Sequence, residues 1–116
     1  MCELLWSDPD DITEWESNPR GAGVIFGSGL VDRFLKANNI NFRVRAHQLI
    51  MEGYKEHFNG KLYTVWSAPN YCYRCNNLGS VMKLEQSLKH SFDTFKAAKE
   101  DYGPAPKKNN LPEYFL

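Results

Sequence analysis

An α+β domain with a mixed β-sheet and a flanking helix is the fold class that three stretches of this 116-residue chain predict. Leu62 to Trp66 is rich in the β-branched and aromatic residues that fill a pleated sheet, and Pro69 cannot donate to a ladder, so pairing should end near Ser67. From Asn41 to His47, the apolar Phe42, Val44 and Ala46 alternate with Arg43, Arg45 and His47. That pattern puts apolar groups on one strand face and cationic or ligating groups on the other. Leu30, Val31, Phe34 and Leu35 recur at helical spacing, predicting a helix from an N-cap at Ser28 to about Asn38 with Asp32, Arg33 and Lys36 facing water.

Two of these elements end in chemistry. His47 stands where its strand stops, and Pro69 is followed by Tyr71, Cys72, Arg74 and Cys75. Two such strand ends can converge at one edge of a sheet, the usual place for a site in an α/β arrangement.

Composition sets the bounds. One domain's worth of chain carries fourteen basic and fourteen acidic residues, so no net field draws it to nucleic acid or to an anionic membrane. No apolar run approaches the length of a membrane span, and the N-terminal residues lack the basic flank and apolar core of a targeting signal. The cytosol or the nucleus is the expected compartment. Three cysteines, Cys2, Cys72 and Cys75, are a poor basis for a disulfide framework and read as reduced thiols. Cys72 and Cys75 have zinc-knuckle spacing, but neither a second Cys pair nor a His pair follows to complete four ligands.

In chain order, Leu4 to Trp6 predicts a short strand leading into a Ser7 to Asp11 turn of Ser, Asp and Pro residues. Asp8, the first polar group past that strand, keeps a claim on a site role, while Asp10 and Asp11 read as turn and cap residues. Ile12 to Asn18 has no period. In Pro19 to Gly23 an arginine, Arg20, sits among small residues, a pattern that fits a phosphate cradle and a plain surface arginine equally. Val24 to Phe26 is a short strand. Gln48 to Phe58 is interrupted by Gly53, with Tyr54 and Phe58 expected to pack and with His57 and, further on, His90 expected to be solvated. Asn76 to Gly79 makes a turn into a hairpin of Ser80–Leu84 with Ser91–Phe95. Past residue 97, Gly, Pro and Lys predominate, the composition of a mobile tail over 98–116, which ends in Tyr114, Phe115 and Leu116.

Taken together, Leu4-Leu5-Trp6-Ser7-Asp8-Pro9, Pro19-Arg20-Gly21-Ala22-Gly23, Arg45-Ala46-His47-Gln48, Glu52-Gly53-Tyr54, Ser67 through Cys75 and the final Tyr114-Phe115-Leu116 strongly resemble the phosphoprotein phosphatase family. The likeness covers essentially the whole chain and is greatest to the 2A/4/6 branch of serine/threonine protein phosphatase catalytic subunits. It implies the metallo-dependent, calcineurin-like αββα sandwich, of which residues 1–97 would be the C-terminal part.

The resemblance also implies roles. His47 matches a ligand of a two-metal centre of Mn, Fe or Zn, Arg20 a residue that binds the substrate phosphate, and Tyr71 a residue lining the substrate groove. Cys72, Arg74 and Cys75 match the loop over the active site, and Leu116 a C-terminal leucine whose carboxyl methylation helps recruit regulatory subunits. Phosphoprotein substrates and regulatory and scaffold subunits are the implied partners. In the family, two metal ions activate a water for in-line attack on phosphorus without a covalent intermediate. The remaining ligands lie in Gly-Asp-x-His-Gly, Gly-Asp-x-Val-Asp-Arg-Gly and Gly-Asn-His-Glu motifs, none of which this sequence contains. The 116 residues alone are therefore expected to be inactive, and a non-catalytic form that binds regulatory or scaffold subunits is the alternative reading. A zinc module built on Cys72 and Cys75 is a more distant third. Glu14, Glu16 and Asn76 stand where the family usually has Gly, each a cost of roughly 1 kcal/mol or more if that position has positive φ.

Overall fold

A computed structural model describes residues 1–99. Leu116 and nearly all of the tail expected over 98–116 lie outside the described residues. The described residues divide into two compact units: residues 1–48 with 56–64, and residues 49–55 with 65–99.

The first unit opens with a helix where a strand was expected. Helix α1 (Cys2–Trp6) closes when the Ser7 N–H donates to the Glu3 carbonyl. Its residues include no β-branched side chain, and Glu and Leu are good helix formers, so local propensity prevails over the short apolar run. Strand β1 (Asp8–Pro9) follows, with its proline on a sheet edge where a missing donor costs nothing. The stretch expected to be irregular contains β2 (Trp15–Ser17), fully exposed, and the first sheet is completed by β3 (Val24–Phe26). The order is β1-β3-β2, parallel between β1 and β3 and antiparallel between β2 and β3.

Helix α2 (Ser28–Asn38) has the predicted span, although Gly27 takes the N-cap position and Ser28 is already helical. Asn39 ends it in the left-handed region at φ 53°, which asparagine tolerates. Val31 and Leu35 on its inner face join Phe26 and Leu62 in a small core, with Val24, Leu30 and Phe58 packed against it. Each such side chain contributes roughly 1.5–3 kcal/mol by leaving water. Strands β4 (Arg43–Arg45), β5 (Tyr54–His57) and β6 (Leu62–Val65) form a second sheet of order β4-β6-β5, in which β4 runs parallel to β6. The alternation in β4 is real, and the covered face is the cationic one: Val44 is 43% exposed, whereas the Arg45 side chain is 7% exposed. His57, expected in solvent, is half-buried and hydrogen-bonds through Nε2 to the Oγ1 of the buried Thr64 at 3.0 Å.

In the second unit the Trp66 N–H donates to the Gly53 carbonyl, and the Ser80 N–H donates to the Trp66 carbonyl. Gly53 has φ +90°, and a Cβ there would stand 2.9 Å from the Ser80 Cβ. A 3₁₀ turn at Tyr71–Tyr73 leads to β7 (Gly79–Leu84) and β8 (His90–Phe95), an antiparallel hairpin that starts at each strand one residue earlier than predicted. Tyr54 packs as expected, stacked on Phe92 with ring centroids 4.0 Å apart. His90 is half-buried and its Nδ1 lies 3.2 Å from the Leu88 carbonyl, a further departure from the solvated reading. Among the described residues, no helix is long and apolar enough to cross a membrane.

Candidate functional site

The first unit gathers its charged side chains around one carboxylate. Asp8 is 5% exposed. Its Oδ2 accepts from Asn18 Nδ2 at 3.0 Å and pairs with Arg20 Nε at 3.1 Å, while its Oδ1 accepts from Arg45 Nη2 at 2.9 Å. Asn18, 8% exposed, also accepts the Arg20 backbone N–H at 2.9 Å through Oδ1. A buried carboxylate is tolerable only when its lone pairs are met by charge and by donors, and three side chains meet those of Asp8.

The two arginines differ in what they have left. Arg45 uses Nη1 on Gln48 Oε1 at 2.8 Å, and Nη2 on both the Ser7 carbonyl at 2.7 Å and Asp8. Burial pulls its guanidinium below the usual value, and Asp8 opposes that shift. The Arg20 side chain is 34% exposed and comes nearest Asp8 through Nε. Its loop is held close to the start of the chain by Gly23, where φ is +68° and a Cβ would lie 2.6 Å from the Ser7 backbone nitrogen. Ser7 Oγ accepts the Val24 N–H at 3.0 Å, completing that contact.

His47 stands just beyond β4 with φ +77°, a backbone conformation costly for a non-glycine residue and found preferentially where function requires it. Its ring meets Trp6 edge-on, with centroids 5.0 Å apart, and its Nε2 is buried without a hydrogen-bond partner. Desolvation lowers the imidazole pKa below its ordinary 6.5; Arg20 and Arg45 push the same way and Asp8 opposes them. The ring is thus neutral at pH 7, the form that ligates a metal. An open groove of about 560 Å³ runs past it, lined by Leu4, Leu5, Val44, Arg45 and Ala46 among others.

Tyr71, Cys72, Arg74 and Cys75 belong to the second unit. Tyr71 packs its ring perpendicular to Trp66 with centroids 4.8 Å apart, and burial, with Cys72 and Cys75 nearby, raises its phenol pKa and keeps it protonated. Both cysteines are free and half-buried, and Arg74 is exposed. The loop is wired by two buried asparagines. Asn70 Oδ1 accepts the Asn76 N–H, Asn77 Oδ1 accepts the Tyr71 N–H, and Asn77 Nδ2 donates to the carbonyls of Ala68 and Leu78. Asn70, Cys72, Tyr73 and Asn76 all have positive φ. Of the three positions expected to suffer from replacing a family glycine, Asn76 alone is left-handed, at φ 53°; Glu14 and Glu16 are not.

Arg20 and His47 therefore share one unit, gathered around Asp8. Arg45 and Asn18 had not been singled out as site residues, although the sequence alternation put Arg45 in register with His47. Among the described residues, no cluster of three or more His, Cys, Asp or Glu is placed to hold a metal ion. The unsatisfied Nε2 of His47 has the chemistry of a metal ligand.

No protein-family model matches the chain. It is 52% identical over 120 aligned residues to the serine/threonine-protein phosphatase 4 catalytic subunit of Candida glabrata, an alignment that takes in 100% of this chain and 39% of the relative. Among solved structures, it is similar to a protein serine/threonine phosphatase from Saccharomyces cerevisiae with similarity to human phosphatase PP5. That match has a TM-score of 0.73 at 36% identity and covers 84% of this chain and 34% of the other. The chain spans 39% of the length of the curated relative, and its mixed sheets are those of the calcineurin-like phosphatase fold. Over its whole length the chain matches part of a serine/threonine protein phosphatase catalytic subunit.

Proposed function

We propose that the chain carries the phosphate-gripping arginine and one metal ligand of a metal-dependent serine/threonine phosphoprotein phosphatase. The observation that carries this reading is the pairing, in one unit, of a half-exposed Arg20 held by a buried carboxylate with a neutral, strained His47. Arg20 offers a planar fork of donors to the three oxygens of a phosphoryl group and stabilises the charge that spreads over them during transfer. His47 contributes an imidazole to a centre of two divalent ions, Mn, Fe or Zn. Bound there, such ions supply an activated water for direct attack on phosphorus. Tyr71 lines the groove that takes the phosphoserine or phosphothreonine segment, and the Cys72 to Cys75 turn shapes its wall.

Phosphoprotein substrates are what the family likeness adds to this chemistry. Regulatory and scaffold subunits, a methylated Leu116, and a cytosolic or nuclear location complete the proposal by family likeness. One imidazole does not hold two metals, so the isolated 116 residues are expected to show no manganese-dependent turnover of p-nitrophenyl phosphate. The test is immunoprecipitation from the source with an antibody against residues 107–116. A protein about two and a half times the 13.4 kDa of this chain that releases phosphate from phosphopeptides supports the proposal. A 13.4 kDa band that co-precipitates larger subunits and releases no phosphate replaces it with a non-catalytic binding role.

A further inference from the structure

We infer that Asp8 is a positioning residue that sorts the two arginines it touches, immobilising Arg45 as a strut and aligning Arg20 side-on so that its terminal nitrogens are presented to a phosphoryl dianion. The inference deepens the proposed function and rests on it.

The geometry distinguishes the two partners. Arg45 spends both terminal nitrogens on Gln48, the Ser7 carbonyl and Asp8, and its side chain is 7% exposed, so no face of it remains for a ligand. Arg20 meets the same carboxylate through Nε at 3.1 Å, with its side chain 34% exposed. A guanidinium has two bidentate edges, and the nitrogen of Arg20 nearest Asp8 belongs to the Nε edge. The opposite edge, Nη1 with Nη2, is the one a phosphate can take in parallel hydrogen bonds. Without the carboxylate, Arg20 would be a long side chain in a Gly-rich loop, losing its rotamer freedom only at the moment of binding. With it, that loss is met in advance, and Asn18 reinforces the arrangement by bonding both Asp8 Oδ2 and the Arg20 N–H.

The carboxylate also ties two sheets of this unit together. Asp8 lies on β1, which pairs with β3, and Arg45 closes β4, which pairs with β6. One side chain thus sets the direction of Arg20 relative to β4, the strand just before His47.

The test uses the 116-residue chain labelled with ¹⁵N-arginine and inorganic phosphate as the probe, read by NMR of the arginine side chains. In the unsubstituted chain the Arg20 Nε–H should exchange slowly compared with that of the exposed Arg74, and phosphate should shift the Arg20 terminal nitrogens but not those of Arg45. In Asp8→Asn, the Arg20 Nε–H should exchange as fast as that of Arg74, and phosphate affinity should fall about tenfold, while the α2 amide signals keep their positions. Phosphate binding that survives Asp8→Asn at unchanged affinity would overturn the inference and leave the proposed function standing. Absence of any phosphate response at Arg20 in the unsubstituted chain would overturn both. If Asp8→Asn loses its α2 signals, the unsubstituted chain decides alone: an Arg20 Nε–H as labile as that of Arg74 overturns the alignment.

Discussion

Arg45 and Asp8 form an ion pair at 2.9 Å in which neither side chain is more than 8% exposed. Surface ion pairs contribute little to stability, but breaking a buried one leaves a charge with no solvent to meet it. Arg45→Met removes three donated bonds at once and should destabilise the first unit by about 3–5 kcal/mol. Urea unfolding followed by α2 helicity would measure this. A loss below 1 kcal/mol would mean that water reaches Asp8 in place of the guanidinium.

The close approach of Gly23 to Ser7 leaves no room for a side chain. Gly23→Ala should cost about 1–3 kcal/mol from the positive φ and the 2.6 Å contact together. It should also push the Arg20 loop away from Asp8 and weaken phosphate binding. Gly21, also left-handed at φ +80° but with no atom within 4 Å of a Cβ, separates the two causes. Gly21→Ala should show the conformational cost alone, and phosphate titration of the two variants checks the difference.

Asn76 holds φ 53°, a left-handed conformation that glycine adopts without strain. Its side chain makes only a 3.4 Å contact to the Arg74 carbonyl, whereas its backbone N–H bonds Asn70. Asn76→Gly keeps the backbone bond and relieves the left-handed strain, so the second unit should gain about 0.5–1 kcal/mol, seen as a raised thermal midpoint. A lowered midpoint would show that the side-chain contact outweighs the strain.

Glu14 and Arg33 join β2's approach to helix α2 through two hydrogen bonds at 2.6 and 2.9 Å. The guanidinium holds the Glu14 carboxyl below its ordinary 4.5 in the folded chain. The folded state therefore binds fewer protons than the unfolded one between those two values. The pair's contribution is fully present above about pH 4.5 and is lost as pH falls through the folded value. Because the pair is exposed, added salt should weaken it. Glu14→Gln should flatten that acid limb by slightly lowering stability near pH 7 while leaving it little changed at low pH; an unaltered limb would assign it to other carboxylates.

How much was legible depended on whether a residue's role is set locally. Helix α2 and strand β3 were readable because apolar spacing alone specifies them. Arg20, His47 and Tyr71 stood out because their neighbours form long motifs. The strands Trp15–Ser17 and Tyr54–His57 were missed because they are short edge strands made mostly of polar or exposed residues, which leave no period to detect. Cys2 to Trp6 was misread because apolar runs of that length suit either a strand or a helix. Asp8 was visible as a polar residue at a strand end, but its partners come from positions 10, 12 and 37 residues away, and no local pattern encodes such distances. The same holds for Asn70 and Asn77, ordinary turn residues in sequence whose burial to 3% and 1% makes them the frame of their loop.

That frame bears on how the loop can change over evolutionary time. The segment from Ala68 to Leu78 is fastened by its own asparagine amides, which grip backbone atoms and ignore the side chains in between. Residues 74 and 75 can therefore be exchanged for others without redrawing the path of the chain, whereas 72 and 73 are restricted to residues that accept positive φ. A duplicated gene could vary them one at a time, diversifying what the loop recognises while the two asparagines keep its outline constant.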